Sequence, residues 1–342
     1  VLSQGALNRA TLARQCLLQR QALAPLRAIE HLVALQGQDA GAPYIGLWTR
    51  LPAFRQPDLA ALLHERRVVR GSLLRGTQHL AAATDYVWLR PLLQPVLDRA
   101  RRAAFGRETA GIDPAALAAT GRVLLAGQTL TRSQLGRLLA ERYPERDPAA
   151  LAWSVQALLP LVHPPPNGLW GGGGAGSAGG ATRFTLAEDW LGRPLDGAAP
   201  VGAAPDATAQ ARQTLIVRYL AAFGPASVAD AQRWCGLTRL AGDFERLRPR
   251  LRPFRSESGR ELFDLPDAPR PDADTPAPAR FLPAFDNLIV GHADRTRLIS
   301  DEARRRVCVG SMVAPTVLVD GAVRGTWAIA TGADGATATL RV

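Results

Sequence analysis

The chain has 342 residues, 47% hydrophobic and 21% charged, which excludes a disordered polymer or one small core and points to two or three globular domains. Basic residues outnumber acidic ones by 41 to 30, a formal net charge of +11, and all 41 are arginine. Without lysine there is no ε-amine for a Schiff base and no Walker P-loop, whereas arginine forks suit phosphate. A basic excess of this size points first to nucleic acid, with solubility or genome composition as the plain alternative. No apolar run approaches the roughly 18–20 residues that span a bilayer, and residues 1–10 lack the pattern of a secretory signal. Cys16, Cys235 and Cys308 lie far apart with no C-x-x-C spacing. The expectation is a soluble, cytoplasmic, monomeric protein with no structural disulfide, no metal and no cofactor.

In chain order, helix-period patterns cover residues 8–19 and 25–36, the second with Pro25 in its first turn. That second helix is read as ending at Gln36-Gly37-Gln38, with Gly37 taking the positive φ of a chain reversal. Asp58 is placed as the cap of a helix over 59–67, and residues 68–75 and 78–81 flank Gly76-Thr77 as a hairpin. A long helix over 85–102 closes this first unit. A second begins at Thr131, capping 132–142, and continues through a helix over 148–159 to wing strands near 161–163 and 183–186. The run at 171–180, nearly all glycine, reads as a wing tip, because no helix start and no Lys-Ser/Thr follows it.

A linker near 196–208 leads to the third unit: a helix over 209–223, Ser227 capping a short helix to Cys235, a turn at Gly236 and a helix over 240–248. Its wing is 251–255 with 261–265. Helix, turn, helix and wing is the layout of a winged helix, which lays one helix along a DNA groove or serves as a protein-binding module. Beyond a Pro-rich joint at 266–278 the chain turns strand-like at 287–290, 316–319 and 336–342, with Asp320-Gly321 as hairpin turn and a short helix from Ser300. The fold class expected is α+β, mainly helical: three tandem winged helix-turn-helix units and a C-terminal β-rich subdomain. The divisions fall at 1–110, 111–195, 205–267 and 279–342.

These residues resemble a known family. Gln36-Gly37-Gln38, the three winged units, the run Leu282-Pro283-Ala284-Phe285-Asp286-Asn287-Leu288-Ile289-Val290-Gly291-His292-Ala293-Asp294-Arg295-Thr296-Arg297, and Val319-Asp320-Gly321 with Gly325-Thr326-Trp327 look like the winged-helix DNA glycosylases of the AlkZ type. The resemblance implies excision of N7-alkylated purines from double-stranded DNA, including unhooking of interstrand crosslinks, often as self-resistance to a DNA-alkylating natural product. It implies a catalytic Gln-x-Gln pair, here Gln36 and Gln38. The middle position departs from the family pattern, with glycine where a larger apolar residue is expected.

The chemistry is coherent on its own terms. An amide is no general base at neutral pH. A purine alkylated at N7 is already cationic, however, so it leaves without protonation. What remains is to place a water and to stabilise an oxocarbenium-like sugar, which two carbonyl oxygens can do electrostatically. Without lysine, a strand-nicking amine mechanism is not expected, so the enzyme reads as monofunctional. His292 and Arg295 are candidates for a minor-groove probe and Arg297 for a phosphate contact, against a polar network at a strand end. Asp39, Asp286 and Asp294 are weighed as bases and read as a solvated carboxylate or ion-pair partners. His31, His64, His79 and His163 lack metal-ligand spacing; Trp48, Trp88, Trp153 and Trp190 read as core, and Trp327 as packing beneath the C-terminal hairpin. The rival reading is a winged-helix DNA-binding protein or regulator with no chemistry.

Overall fold

The computed structural model describes residues 1–171, 182–195, 205–331 and 337–342; the glycine run and much of the following linker lie outside the described residues. The chain opens with α1 (Gln4–Arg14), capped by the Ser3 hydroxyl, and α2 (Pro25–His31). β1 (Leu35–Gln36), α3 (Ala42–Arg50) and α4 (Gln56–His64) follow. Asp58 sits inside the first turn of α4, where its carboxylate accepts from the Arg55 amide at 2.8 Å. β2 (Val68–Ser72) and β3 (Gln78–Ala82) form the expected hairpin.

The single helix expected over 85–102 is two: α5 (Ala83–Leu92) and α6 (Gln94–Phe105). Pro95 has no N–H to carry the hydrogen-bond ladder across the junction at Leu93. α7 (Pro114–Leu125), capped by Asp113, is an element the sequence reading omits. β4 (Leu130–Thr131) precedes α8 (Arg132–Arg142), whose capping box joins Thr131 and Gln134, and Asp147 caps α9 (Pro148–Leu158). β5 (Leu161–Val162), β6 (Arg183–Leu186) and α10 (Ala187–Leu191) come next.

α11 (Pro205–Phe223), α12 (Val228–Cys235) and α13 (Ala241–Leu247) lead into the hairpin of β7 (Arg252–Arg255) and β8 (Glu261–Asp264). The remainder holds β9 (Arg280–Leu282), α14 (Asn287–Val290), α15 (Asp301–Val307), β10 (Cys308–Val309), β11 (Met312–Val313), β12 (Thr316–Val319), β13 (Ala322–Thr326), β14 (Ala328–Thr331) and β15 (Ala338–Arg341). Asp320 and Gly321 both take positive φ, at 47° and 75°, as the tight β12–β13 turn requires. Residues 287–290, expected to be extended, form the helical turn α14, because the Asp286 carboxylate caps the Leu288 amide at 2.9 Å.

The protein is thus a mixed α/β chain of many helices and small antiparallel sheets. The largest sheet runs β1-β3-β2-β5-β6-β4, joined across Gly71↔Val162, so the β2–β3 hairpin and the β5–β6 pair are one surface. One buried cluster links Val33, Leu73 and Leu93 to Leu220, Trp234 and Phe244, so the segment before α7 shares a core with α11–α13. Another joins Leu12 of α1 to Leu282, Leu288 and Leu318 of the C-terminal part. Among the described residues, no helix is long and apolar enough to cross a membrane.

Candidate active site

Gln36 ends a short strand and Gln38 lies in the bend after it; neither ends a helix. α2 stops at His31, and the reversal falls at Val33, whose φ is 70°. β1 then pairs with β3, Leu35 opposite Leu80 and Gln36 opposite His79, and the Gly37 amide donates to the Gln78 carbonyl at 2.8 Å. Gln36 in β1 and Gln38 in the bend that follows both line one cleft, while Leu35 and Gly37 are buried. Gly37 has no positive φ, which corrects the reversal expected of it. Its role is close approach: a Cβ there would lie 2.6 Å from Leu80 Cδ1. The segment is pinned from both sides, by Arg70 Nε donating to the Gly37 carbonyl at 2.9 Å and by the Asn287 amide donating to the Ala34 carbonyl.

Gln36 is buried, and its amide is held at both ends. Arg75 Nη2 donates to its Oε1 at 2.8 Å, and its Nε2 donates to Thr77 Oγ1 at 3.1 Å. Arg75 reaches it from the β2–β3 turn, where it adopts φ 56° and also donates to the Trp234 carbonyl. Gln38 is half-buried and freer, its Oε1 accepting from the Gln78 amide at 3.4 Å.

Two clefts meet here: Gln36 and Gln38 both line one, and Gln38 lines the other as well. One, of about 510 Å³, is lined by Gln36, Gln38, Arg75, Arg233, Arg295 and Arg304 beside the β10–β11 hairpin. Neither aspartate nor glutamate lines it among the described residues. Burial, then repulsion from Arg233 and Arg295, lowers the Arg75 guanidinium to about 10, and burial with Arg233 and Arg304 nearby also lowers Arg295. Cations crowded this way are relieved by an anion. The other cleft, of about 610 Å³, lies between β2–β3 and the helices α6 and α9, with Gln38 and Thr77 again at its edge.

Of the three DNA contacts expected in the C-terminal run, Arg295 alone reaches a cleft. His292 is fully buried, its Nε2 3.0 Å from the Phe223 carbonyl, and burial with Arg297 nearby lowers its pKa to about 3. Arg297 is buried too, donating to Thr11 Oγ1 at 3.2 Å and to the Pro225 carbonyl at 2.9 Å. Both expectations are corrected: these side chains bind the run to α1 and α11. Asp286 forms a buried pair with Arg50 at 2.8 Å, and Asp294 pairs with Arg260, not its neighbour Arg295. Asp39 is exposed and accepts from the Gly41 amide. Trp327 is buried as expected, donating to the Leu282 carbonyl, whereas Trp48 and Trp153 are exposed, not core. The sequence reading missed Arg75, Thr77, Arg233 and Arg304. The first two were visible as the tip of a predicted hairpin; only the β1–β3 pairing brings that tip to Gln36. Among the described residues, no cluster of His, Cys, Asp and Glu could hold a metal.

The fold matches a solved structure, the Streptomyces sahachiroi DNA glycosylase AlkZ, with a TM-score of 0.75 at 20% identity, covering 96% of this chain and 88% of that one. No curated protein matches the chain significantly. The family description "DNA glycosylase AlkZ-like" matches residues 29–342, and the chain belongs to that AlkZ-like DNA glycosylase family. By family it is a DNA-repair glycosylase, a hydrolase of N-glycosyl bonds acting on DNA.

Proposed function

We propose that this chain hydrolyses the N-glycosidic bond of N7-alkylated purines in double-stranded DNA, with bulky adducts and interstrand crosslinks as its lesions, and leaves an abasic site without cutting the strand. One observation carries this reading: Gln36 and Gln38 line one arginine-rich cleft, Gln38 lines a second beside it, and no described carboxylate lines either. A neutral pair suffices only where the leaving group is already cationic, which is the case for an N7-alkylpurine. Gln38, the less engaged of the two, holds the attacking water. Gln36, fixed by Arg75 and Thr77, lends a preorganised dipole to the sugar. Arg233, Arg295 and Arg304 grip phosphates.

In the same reading, α11–α13 with β7–β8 and α7–α9 with β5–β6 are winged-helix units that lay helices along the duplex, and the first unit carries the catalytic strand. Three free thiols suit a reducing compartment. The test is a duplex carrying a single N7-methylguanine. Free 7-methylguanine should appear while the strand stays intact and borohydride traps no protein–DNA adduct. Binding without base release would make the chain a DNA-binding protein that performs no chemistry.

A further inference from the structure

The 610 Å³ cleft beside Gln38 has features that phosphate binding does not explain. Its floor is apolar, formed by Leu97, Ala100 and Ala104, and its wall is a ladder of Phe105, Trp153 and Arg132. The Phe105 and Trp153 rings lie nearly parallel, 13° apart with centroids 6.1 Å apart, and the Arg132 guanidinium lies 3.5 Å from the Trp153 centroid. Trp153 is nonetheless 38% exposed. Such a ladder suits a further planar ring.

Two residues that line the same cleft, His163 and Gln78, each carry a buried acceptor with no donor in the protein. His163 Nδ1 lies 2.9 Å from the Arg183 carbonyl, which can only accept, so Nδ1 carries the proton and Nε2 presents its lone pair. Burial, with Arg70 and Arg132 nearby, lowers this imidazole to about 3 and keeps it neutral. Gln78 donates its amide to Ser72 Oγ at 2.9 Å, which leaves its Oε1 without a partner. Both side chains are at least nine-tenths buried, where an unpaired acceptor is unfavourable. Arg101 and Arg132, which also line the cleft, each carry a buried Nε without a partner, the opposite polarity.

We infer that this cleft receives a planar aromatic ring of the lesion, stacked on the ladder, and that a ring with N–H donors on its edge meets the two acceptors. The inference rests on the glycosylase reading for its location, at one wall of the catalytic pair. Two sources share the planar ring: the alkylguanine itself, whose N1–H and N2–H₂ donors and O6 acceptor also match the polar wall, and an aromatic substituent carried on N7, which uses the ladder alone. The volume lies in the range that accommodates a drug-sized ligand, which leaves room beyond a bare base.

The test titrates the full chain with free 7-methylguanine and free 7-benzylguanine, following tryptophan fluorescence and heat. Saturable binding of at least one is expected. Trp153→Ala should weaken it about ten-fold, the scale of one ring-on-ring contact, and Trp153→Phe should retain most of it. An equal loss for both ligands places the purine in the cleft; a loss confined to the benzyl compound places the substituent there. No saturable binding of either ligand, or identical affinities in wild type and Trp153→Ala, overturns the inference. Base release from the N7-methylguanine duplex, measured in parallel, separates the two readings. Release with no Trp153-dependent binding removes the cleft assignment alone, and Trp153-dependent binding without release removes the glycosylase reading alone.

Discussion

Gly37→Ala is the perturbation that the geometry of the glutamine-bearing segment constrains most. The added Cβ would fall 2.6 Å from Leu80 Cδ1 and 3.4 Å from the backbone at His79 and Leu80. Leu80 is fully buried among Leu35, Leu63 and Val68 and cannot swing away, so either the core or the β1–β3 pairing must give. Overpacking of this kind costs about 1–3 kcal/mol. Displacement of the strand also moves Gln36 and Gln38, and a shift near 1 Å at a reacting group can cost about 10²-fold in rate. Leu80→Ala alone should cost about 2–5 kcal/mol through the cavity it opens. The double variant should be more stable than the sum of the two losses by at least about 1 kcal/mol, because the new methyl occupies space the leucine vacates. Urea denaturation gives the stabilities and single-turnover base release gives the rates. A Gly37→Ala protein with wild-type stability and rate, or strictly additive losses in the cycle, would refute the close-packing account.

The surrounding arginines, the neighbouring carboxylate and the buried histidines give three further outcomes. Arg233→Ala and Arg304→Ala should each weaken duplex binding regardless of sequence and lower the salt slope by about 0.9 for each phosphate left without its guanidinium, read from affinities across a salt series. Asp39→Asn should keep base release within a few-fold of wild type, since that carboxylate is exposed and bonded to its own turn; a loss near 10²-fold would make it a participant. His79, His163 and His292 are held neutral by burial, with folded pKa values of about 3 against about 6.5 when unfolded. The unfolded chain therefore binds more protons below about pH 6.5. Their contribution to stability falls as pH drops from there towards 3, by up to about 1.4 kcal/mol per pH unit for each histidine. Unfolding free energies measured from pH 7 to 5 check this, and a slope unchanged by His292→Gln would count against it.

Much of the local structure was legible because the signals were local. Thr131 with Gln134 and Ser227 with Asp230 are capping boxes, and both helices start where those residues place them. Asp320-Gly321 gave the β12–β13 turn for the same reason. What escaped depends on distant partners. A non-glycine reversal at Val33 has no sequence signature, and a two-residue strand such as β1 exists only because β3 lies beside it. The run ending in His292 and Arg297 looks polar in sequence, and only the packing of α1 and α11 against it shows that those side chains hold the frame together. Pro95 was a readable break that the helical pattern around it obscured. At the site, the glutamines were readable as a pair, whereas the arginines around them come from the β2–β3 turn, α12 and the C-terminal part, and only the fold assembles them.

The central claim is that two neutral amides complete the hydrolysis. Its most direct measurement is single-turnover release of 7-methylguanine from a duplex by wild type and by the Gln36→Ala/Gln38→Ala variant, with duplex affinity determined alongside. The account predicts a rate loss of at least about 10²–10³-fold at unchanged affinity, the scale of removing one or more preorganised dipoles from a charged transition state. A double variant that releases base at the wild-type rate would contradict it.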